Sequence, residues 1–126
     1  MANECIPLYQ PGKHITAAVA TAVTGKTFVD ISGATLNPAT GALISVAPAT
    51  AAGKVIGVAA FDAAVGAQVP VIGEGVVPVT AGAAITAGAE VEVGTGGKAI
   101  TLASGKAVGR ALTTAANNAD VYVRLY

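Results

Sequence analysis

The stretch Gly-Lys-Val-Ile-Gly-Val-Ala at residues 53–59 recurs as Gly-Lys-Ala-Val-Gly-Arg-Ala at residues 105–111. The same offset of 52 residues aligns Val-Pro-Val at 69–71 with Val-Tyr-Val at 121–123. A match that keeps one offset across two separate segments is typical of an internal repeat, in which one supersecondary unit is used twice.

The pseudo-repeat of residues 40–72 and 96–125 predicts, in each copy, a hairpin, a short strand, a turn of small residues and a further strand. Two copies are too few for a solenoid, and they favour a compact barrel or sandwich. The last segment is the clearest strand, because Val121, Val123 and Leu125 alternate with polar or aromatic residues. We therefore predict an all-β fold, a small β-barrel or β-clip-like domain built from two related β-units.

The first residues form a separate unit in this reading, with an extended N-terminal arm at 1–14 and a single β domain at 15–126. Pro7 and Pro11 bias the residues before them towards extended backbone. The arm also carries larger apolar side chains than most of the chain, at Ile6, Leu8 and Tyr9.

The charge composition of the chain limits the classes of partner that it is predicted to bind. The 126 residues carry seven basic and seven acidic side chains, so the formal net charge is zero. Nucleic-acid and anionic-lipid binders need a basic excess, so neither class of partner is predicted. Only 11% of the residues are charged, against roughly 25% in ordinary globular domains. Burial between subunits would suit so weakly charged a surface.

Membrane spans, secretion signals and disulfides are not predicted either. No stretch reads as a continuous apolar helix of about 20 residues, and the first residues lack the basic and apolar regions of a secretory signal. The single cysteine, Cys5, excludes an internal disulfide and fits a reducing compartment.

No catalytic constellation emerges from the sequence. Gly25-Lys26-Thr27 resembles the end of a phosphate-binding loop, but the first glycine of that motif would fall on Ala20 and the following residues favour a strand. Cys5 and His14 are the only cysteine and histidine, whereas a structural zinc site needs about four such ligands. Catalytic residues, a cofactor and a metal are therefore not predicted, and the chain is predicted not to be an enzyme.

One pair of carboxylates lies close together in the sequence. Glu90 and Glu92 alternate with Val91 and Val93, which is typical of a half-exposed strand. We expect both carboxylates on its solvated face.

The second half of the chain resembles the capsid decoration, or cement, proteins of tailed bacteriophages, of the lambda-like head-decoration type. The resemblance is carried by turn glycines and core positions: Gly82, Gly88, Val91, Gly97, Lys98, Gly105, Val108, Gly109, Arg110, Ala111, Leu112, Val121, Val123 and Leu125. The chain departs from the pattern at Asn117-Asn118, where such sequences usually carry glycine. Asparagine tolerates the left-handed backbone that a turn needs there.

The resemblance implies a capsid decoration protein that binds the outer surface of a phage head and stabilises the shell by bridging capsomers. The implied partners are the major capsid protein and sister copies in a homotrimer, and the implied location is the virion after synthesis in the host cytoplasm. We expect the arm to contact the capsid by adding an extended segment to an edge or groove, through Asn3, Glu4, Cys5, Ile6, Pro7, Leu8 and Tyr9.

Two other functions remain open on the sequence alone. One is a different virion structural or carbohydrate-binding β module, such as a tail, baseplate or fibre component, although sugar binding usually needs more exposed aromatic residues than this chain offers. The other is an enzyme or carrier domain, which would need a pocket with converging polar groups.

Overall fold

In the described part of the chain, ten strands make up two five-stranded arrangements that follow one another in sequence. The computed structural model describes residues 14–36 and 43–126. The first arrangement is a closed barrel in the order β1-β3-β2-β4-β5, with β1 His14–Val19, β2 Phe28–Ile31, β3 Ser45–Pro48, β4 Val55–Ala59 and β5 Gln68–Ile72. The second is a sheet in the order β6-β10-β9-β7-β8, with β6 Gly75–Thr80, β7 Glu90–Val93, β8 Ala99–Thr101, β9 Gly109–Ala111 and β10 Asp120–Leu125.

The all-β prediction is confirmed. Within the described ranges, the helical structure is one short 3₁₀ turn, Thr95–Gly97. No helix among these residues has the length and apolar character that crossing a bilayer requires. Of the arm predicted at 1–14, residues 1–13 lie outside the described residues and His14 begins β1. The division into arm and β domain stays a prediction.

The strands of the barrel and of the sheet pair in the same order. In the barrel, β1 pairs in parallel with β3, and the remaining pairings are antiparallel. In the sheet, a parallel bridge between Ala81 and Ala99 joins the two outer strands, while the other pairings are again antiparallel. With this bridge, β6 to β10 occupy the positions of β1 to β5.

Loop contacts repeat along with the strands. The bridge between Val23 and Ala63 in the barrel has its counterpart between Ile85 and Ala115 in the sheet. The first member of each pair is displaced by 62 residues and the second by 52. Most of this ten-residue change arises between β2 and β3, which 13 residues, 32–44, connect, whereas five residues connect β7 to β8.

Equivalent side chains need not be alike to make the same contact. The amide of Gly25 donates to Asp62 Oδ1 over 2.8 Å in the barrel, and the amide of Ala87 donates to Thr114 Oγ1 over 3.1 Å in the sheet. Carboxylate and hydroxyl oxygens both accept a backbone hydrogen bond, so the loop geometry survives the exchange.

The strands bury alternate side chains, as their sequence periodicity requires. Equivalent positions fill the two interiors. The barrel contains Ala17, Val19, Val23, Val29, Val46, Ala59, Val69 and Val71, and the sheet has Val79, Ala81, Ile85, Val91, Ala99, Ala111, Val121 and Val123. Because most of these residues are alanine or valine, each interior is narrow.

The expectation for Glu92 was wrong. The strand β7 forms as predicted, but the Glu92 side chain is only 5% exposed. Its Oε2 accepts a 2.6 Å hydrogen bond from the amide of Gly105. The turn before β9 folds over this carboxylate, so a contact from a distant segment overrides the local alternation.

The repeated glycines of the sequence motif lie where two strands come very close. A Cβ added at Gly109 would lie 2.5 Å from Val123 Cγ1 and 2.6 Å from the backbone oxygen of Arg124. A Cβ at the equivalent Gly57 would lie 2.5 Å from the backbone oxygen of Ile72. Any side chain at either position would push neighbouring strands apart.

We expect Gly109→Ala to lower the free energy of unfolding by about 1–3 kcal/mol, because a methyl group here overpacks against a strand backbone that cannot move aside. Urea denaturation measures the change. Ser104→Ala, at an exposed position between β8 and β9, is the control. Its free energy of unfolding should stay within about 0.5 kcal/mol of wild type. Equal stabilities for Gly109→Ala and the control would contradict the steric argument.

The barrel and the sheet pack directly against each other. Phe28 and Val58 of the barrel are buried in the same apolar cluster as Val77, Val93 and Leu125 of the sheet. Backbone hydrogen bonds cross the junction from Thr80 to Lys26 over 2.8 Å and from Ala52 to Val93 over 3.2 Å. The two units are therefore held by both burial and backbone pairing.

An ion pair lies at the edge of this junction. Lys26 Nζ donates to Asp120 Oδ2 over 2.8 Å. This hydrogen bond, together with the charge of the carboxylate, raises the pKa of the Lys26 ammonium above its ordinary value. Both side chains are exposed, so solvent screens the pair and packing dominates the junction.

Candidate functional site

The residues predicted for capsid contact, Asn3 to Tyr9, fall outside the described ranges, and their role stays a prediction. His14 is placed, at the exposed start of β1. Within residues 14–36 and 43–126, no group of three or more His, Cys, Asp or Glu side chains could hold a metal ion.

The repeat itself separates residues that the fold needs from residues that it does not. Where equivalent positions of barrel and sheet carry similar residues, the shared backbone explains them. Where one copy is small or buried and the other carries a large exposed side chain, the fold does not require that side chain. Such differences mark candidate binding residues.

The largest differences lie on the outer surface of β9, β10 and β6. One row across these strands joins Arg110, Arg124 and Val76. The equivalent row of the barrel consists of Val58, Ile72 and His14, of which Val58 and Ile72 pack into the junction. The sheet thus has arginines where the barrel has apolar residues in contact with the sheet.

The neighbouring row differs in size. Tyr122 pairs with Pro78 on one side, and on the other its carbonyl accepts from the amide of Leu112 over 2.8 Å. The equivalent barrel positions hold Pro70 and Ala60. Tyr122 is 48% exposed and Leu112 is 47% exposed, so these larger side chains are presented to solvent.

We call this surface the tyrosine–arginine face. Its residues are exposed on one side of the second sheet: Val76, Arg110, Leu112, Tyr122, Arg124 and Tyr126. Tyrosine and arginine, together with tryptophan, are enriched among the residues that dominate binding energy in protein interfaces.

Hydrogen bonds hold part of this face in position. The Tyr126 hydroxyl donates to Glu90 Oε2 over 2.9 Å, and an Arg110 guanidinium nitrogen donates to the carbonyl of Gly88 over 2.8 Å. Side chains fixed in this way lose less conformational entropy on binding. The face carries two arginines, and the neighbouring Glu90 offsets only one of them, so the surface is cationic and suits an acidic partner surface.

A second exposed surface lies at the loop between β4 and β5. Phe61 is 51% exposed and Val65 is 68% exposed, whereas the equivalent residues of the sheet are Thr113 and Asn117. We call Phe61, Val65 and their loop the apolar tip. Asp62 is the one charged residue of this loop, and its carboxylate accepts the hydrogen bond from Gly25.

The sequence contained a signal for the tyrosine–arginine face that our sequence analysis did not use. Alternation places Tyr122 and Arg124 on the outer side of the last strand. The 52-residue alignment also matches them with Pro70 and Ile72. Comparing the two copies position by position, instead of only confirming their similarity, would have identified both residues.

Faces of this kind, on a fold filled by small apolar residues, are typical of proteins that bind other proteins. A profile of the phage cement protein family matches residues 9–125, and the chain belongs to this family. It is accordingly a structural protein that associates with the phage capsid.

A solved structure shares the fold. The N base of head fibre gp8.5 from bacteriophage phi29 superposes with a TM-score of 0.74 and 21% sequence identity, covering 90% of this chain and 92% of that one. A search of the curated proteins gave no significant match.

Proposed function

We propose that the chain is a capsid decoration protein that binds the outer surface of a phage head through the major capsid protein and stabilises the shell by bridging neighbouring capsomers. The observation that carries the proposal is the tyrosine–arginine face on a member of the phage cement protein family. The fold adds support, since the structurally similar phi29 protein is the base of a head fibre.

Self-association completes the proposal. In the lambda-like arrangement, three copies would surround a local threefold axis of the shell. Identical side chains approach one another at such an axis, so charged residues there would repel their own copies. The apolar tip, with Phe61 and Val65 exposed, is the surface that best meets this condition.

Three copies would also strengthen attachment. Once one copy is bound, the second and third contacts become intramolecular, so modest individual contacts give tight overall binding. The arm, residues 2–13, would add to each contact by pairing its extended backbone with an edge or groove of the capsid protein.

We expect the purified chain to elute from gel filtration with a light-scattering mass three times that of one chain, and to co-elute with purified empty heads. A second arm of the experiment deletes residues 2–13 and measures co-sedimentation with the same heads, where we expect weaker binding. A monomer that does not co-elute with heads would contradict the proposed function. Undiminished binding after the deletion would remove only the arm from it.

A further inference from the structure

A cleft of about 480 Å³ lies between the barrel and the sheet. We call it the central cleft. Its walls are mainly apolar, with Phe28 and Val55 from the barrel and Val93, Val108 and Leu125 from the sheet. The exposed side chains of two lysines stand among its lining residues, at the equivalent positions Lys54 and Lys106.

One wall of the cleft is a strand edge. On the side of β5, β4 is paired only at Val58 and Ala59, because β5 ends at Ile72. In the described part of the chain, no strand is paired with Val55–Gly57 on that side. A strand edge of this kind is a template for an added strand.

The second sheet shows how the equivalent edge is covered. There, β10 runs on so that Leu125 pairs with Gly109, and the amide of Tyr126 donates to the carbonyl of Val108 over 3.1 Å. In the barrel, the residues equivalent to Leu125 and Tyr126 are Gly73 and Glu74, where the chain leaves for β6. The repeat therefore predicts that an extended segment belongs along Val55–Gly57.

The arm of the same chain is within reach of this edge. His14 pairs with Ile72, the residue before Gly73, which itself lines the cleft. Tyr9 precedes His14 by five residues, which span up to roughly 17 Å when extended.

The chemistry of the arm also fits the cleft. Pro7 and Pro11 favour extended backbone, and in a strand Ile6 and Leu8 point to the same side. An apolar wall suits those two side chains, and Glu4 brings a negative charge to a cleft that presents Lys54 and Lys106.

We propose that the central cleft binds residues 6–9 of its own chain, laid as an added strand along Val55–Gly57. This occupancy belongs to the protein before it meets a shell, so it does not depend on the proposed function. It shields Ile6 and Leu8 from solvent in the free protein. The same apolar side chains become available to a partner only when they leave the cleft.

The single cysteine of the chain, Cys5, allows a direct test by disulfide trapping. Lys54→Cys and Lys106→Cys each place a second thiol at the cleft, and Asn117→Cys, which lies outside the cleft lining and both named surfaces, is the matched control. All three replaced residues are exposed, so the fold is retained. The full-length variants are treated with a mild thiol oxidant at low protein concentration, and intrachain disulfides are followed by free-thiol titration and non-reducing electrophoresis.

We expect at least one cleft variant to form the intrachain disulfide about tenfold faster than Asn117→Cys, because a docked arm raises the effective concentration of Cys5 there. Adding Ile6→Asp and Leu8→Asp should lower the rate to that of the control. Equal rates in all three variants would overturn the proposal. Disulfide-linked dimers as the main product would also overturn it, because the occupant would then be the arm of a second copy.

Discussion

Replacement of Phe28 by alanine is expected to lower the free energy of unfolding by about 3–5 kcal/mol, the usual cost of truncating a buried phenylalanine. Phe28 is fully buried although it lies next to Val29, which fills the interior of the barrel. Its ring faces outwards from the barrel, into the cluster shared with the sheet. The substitution therefore opens a cavity between the two units.

The location of that cavity adds a qualitative effect. The interiors of the barrel and the sheet are narrow and filled by small residues, so each unit alone has a limited core. The shared cluster joins them, and weakening it should lower the protection of amides in β2, β4 and β10 from hydrogen exchange. Urea denaturation gives the free energy, and hydrogen exchange shows whether the loss is centred on the junction.

The second phenylalanine provides a matched control. Phe61 is 51% exposed at the apolar tip, so Phe61→Ala should cost less than about 1 kcal/mol in the monomer. Unfolding is measured at two protein concentrations, because loss of an intersubunit contact would show a concentration dependence that a core cavity does not. Similar costs for the two variants at both concentrations would contradict the role of Phe28 at the junction.

Sequence periodicity predicted the fold where burial follows local alternation. Val121, Val123 and Leu125 are buried in β10, and the outward residues between them are exposed. The all-β class follows from such strands and from glycine-rich turns. The small side chains of both interiors do not indicate which all-β fold forms, because alanine and valine fit many positions of a narrow barrel.

Contacts between distant segments could not be predicted from the sequence. Glu92 is buried because the amide of Gly105 reaches its carboxylate, and nothing in β7 itself indicates that turn. The equivalence of Gly25 and Ala87 is likewise visible only in their hydrogen bonds. The first halves of the two units therefore share strand pairing and hydrogen bonds without a recognisable sequence match.

The candidate site could be predicted in part from the sequence. Alternation assigned Tyr122 and Arg124 to the outer side of the last strand, but their neighbours depend on register. The antiparallel pairing places Arg110 opposite Arg124, and Val76 on the other side of Arg124. A shift of one residue would have placed Gly109 or Ala111 there instead, and the cationic row would not exist.

Loss of the tyrosine–arginine face is expected to have the largest effect on shell binding. For Tyr122→Ala and Arg124→Ala, each removing a dominant interface residue worth about 2 kcal/mol, affinity for empty heads should fall roughly 30-fold per substitution. Arg124→Glu should be more severe than Arg124→Ala, because it adds repulsion to an acidic partner surface. Binding is measured by co-sedimentation across a range of protein concentrations.

The controls must separate the effect of the face on binding from effects on folding and on total charge. Lys98→Glu makes the same charge change as Arg124→Glu at a residue outside the face, where Lys98 contacts Asn118, and should leave binding within about threefold, since it changes only long-range attraction. Tyr122 and Arg124 are exposed, so their variants should unfold at the urea concentration of wild type. If Lys98→Glu weakened binding as much as Arg124→Glu, net charge rather than this face would govern attachment. If the face variants bound heads like wild type, the shell contact would lie elsewhere on the molecule, and the exposed tyrosine and arginines would need another partner.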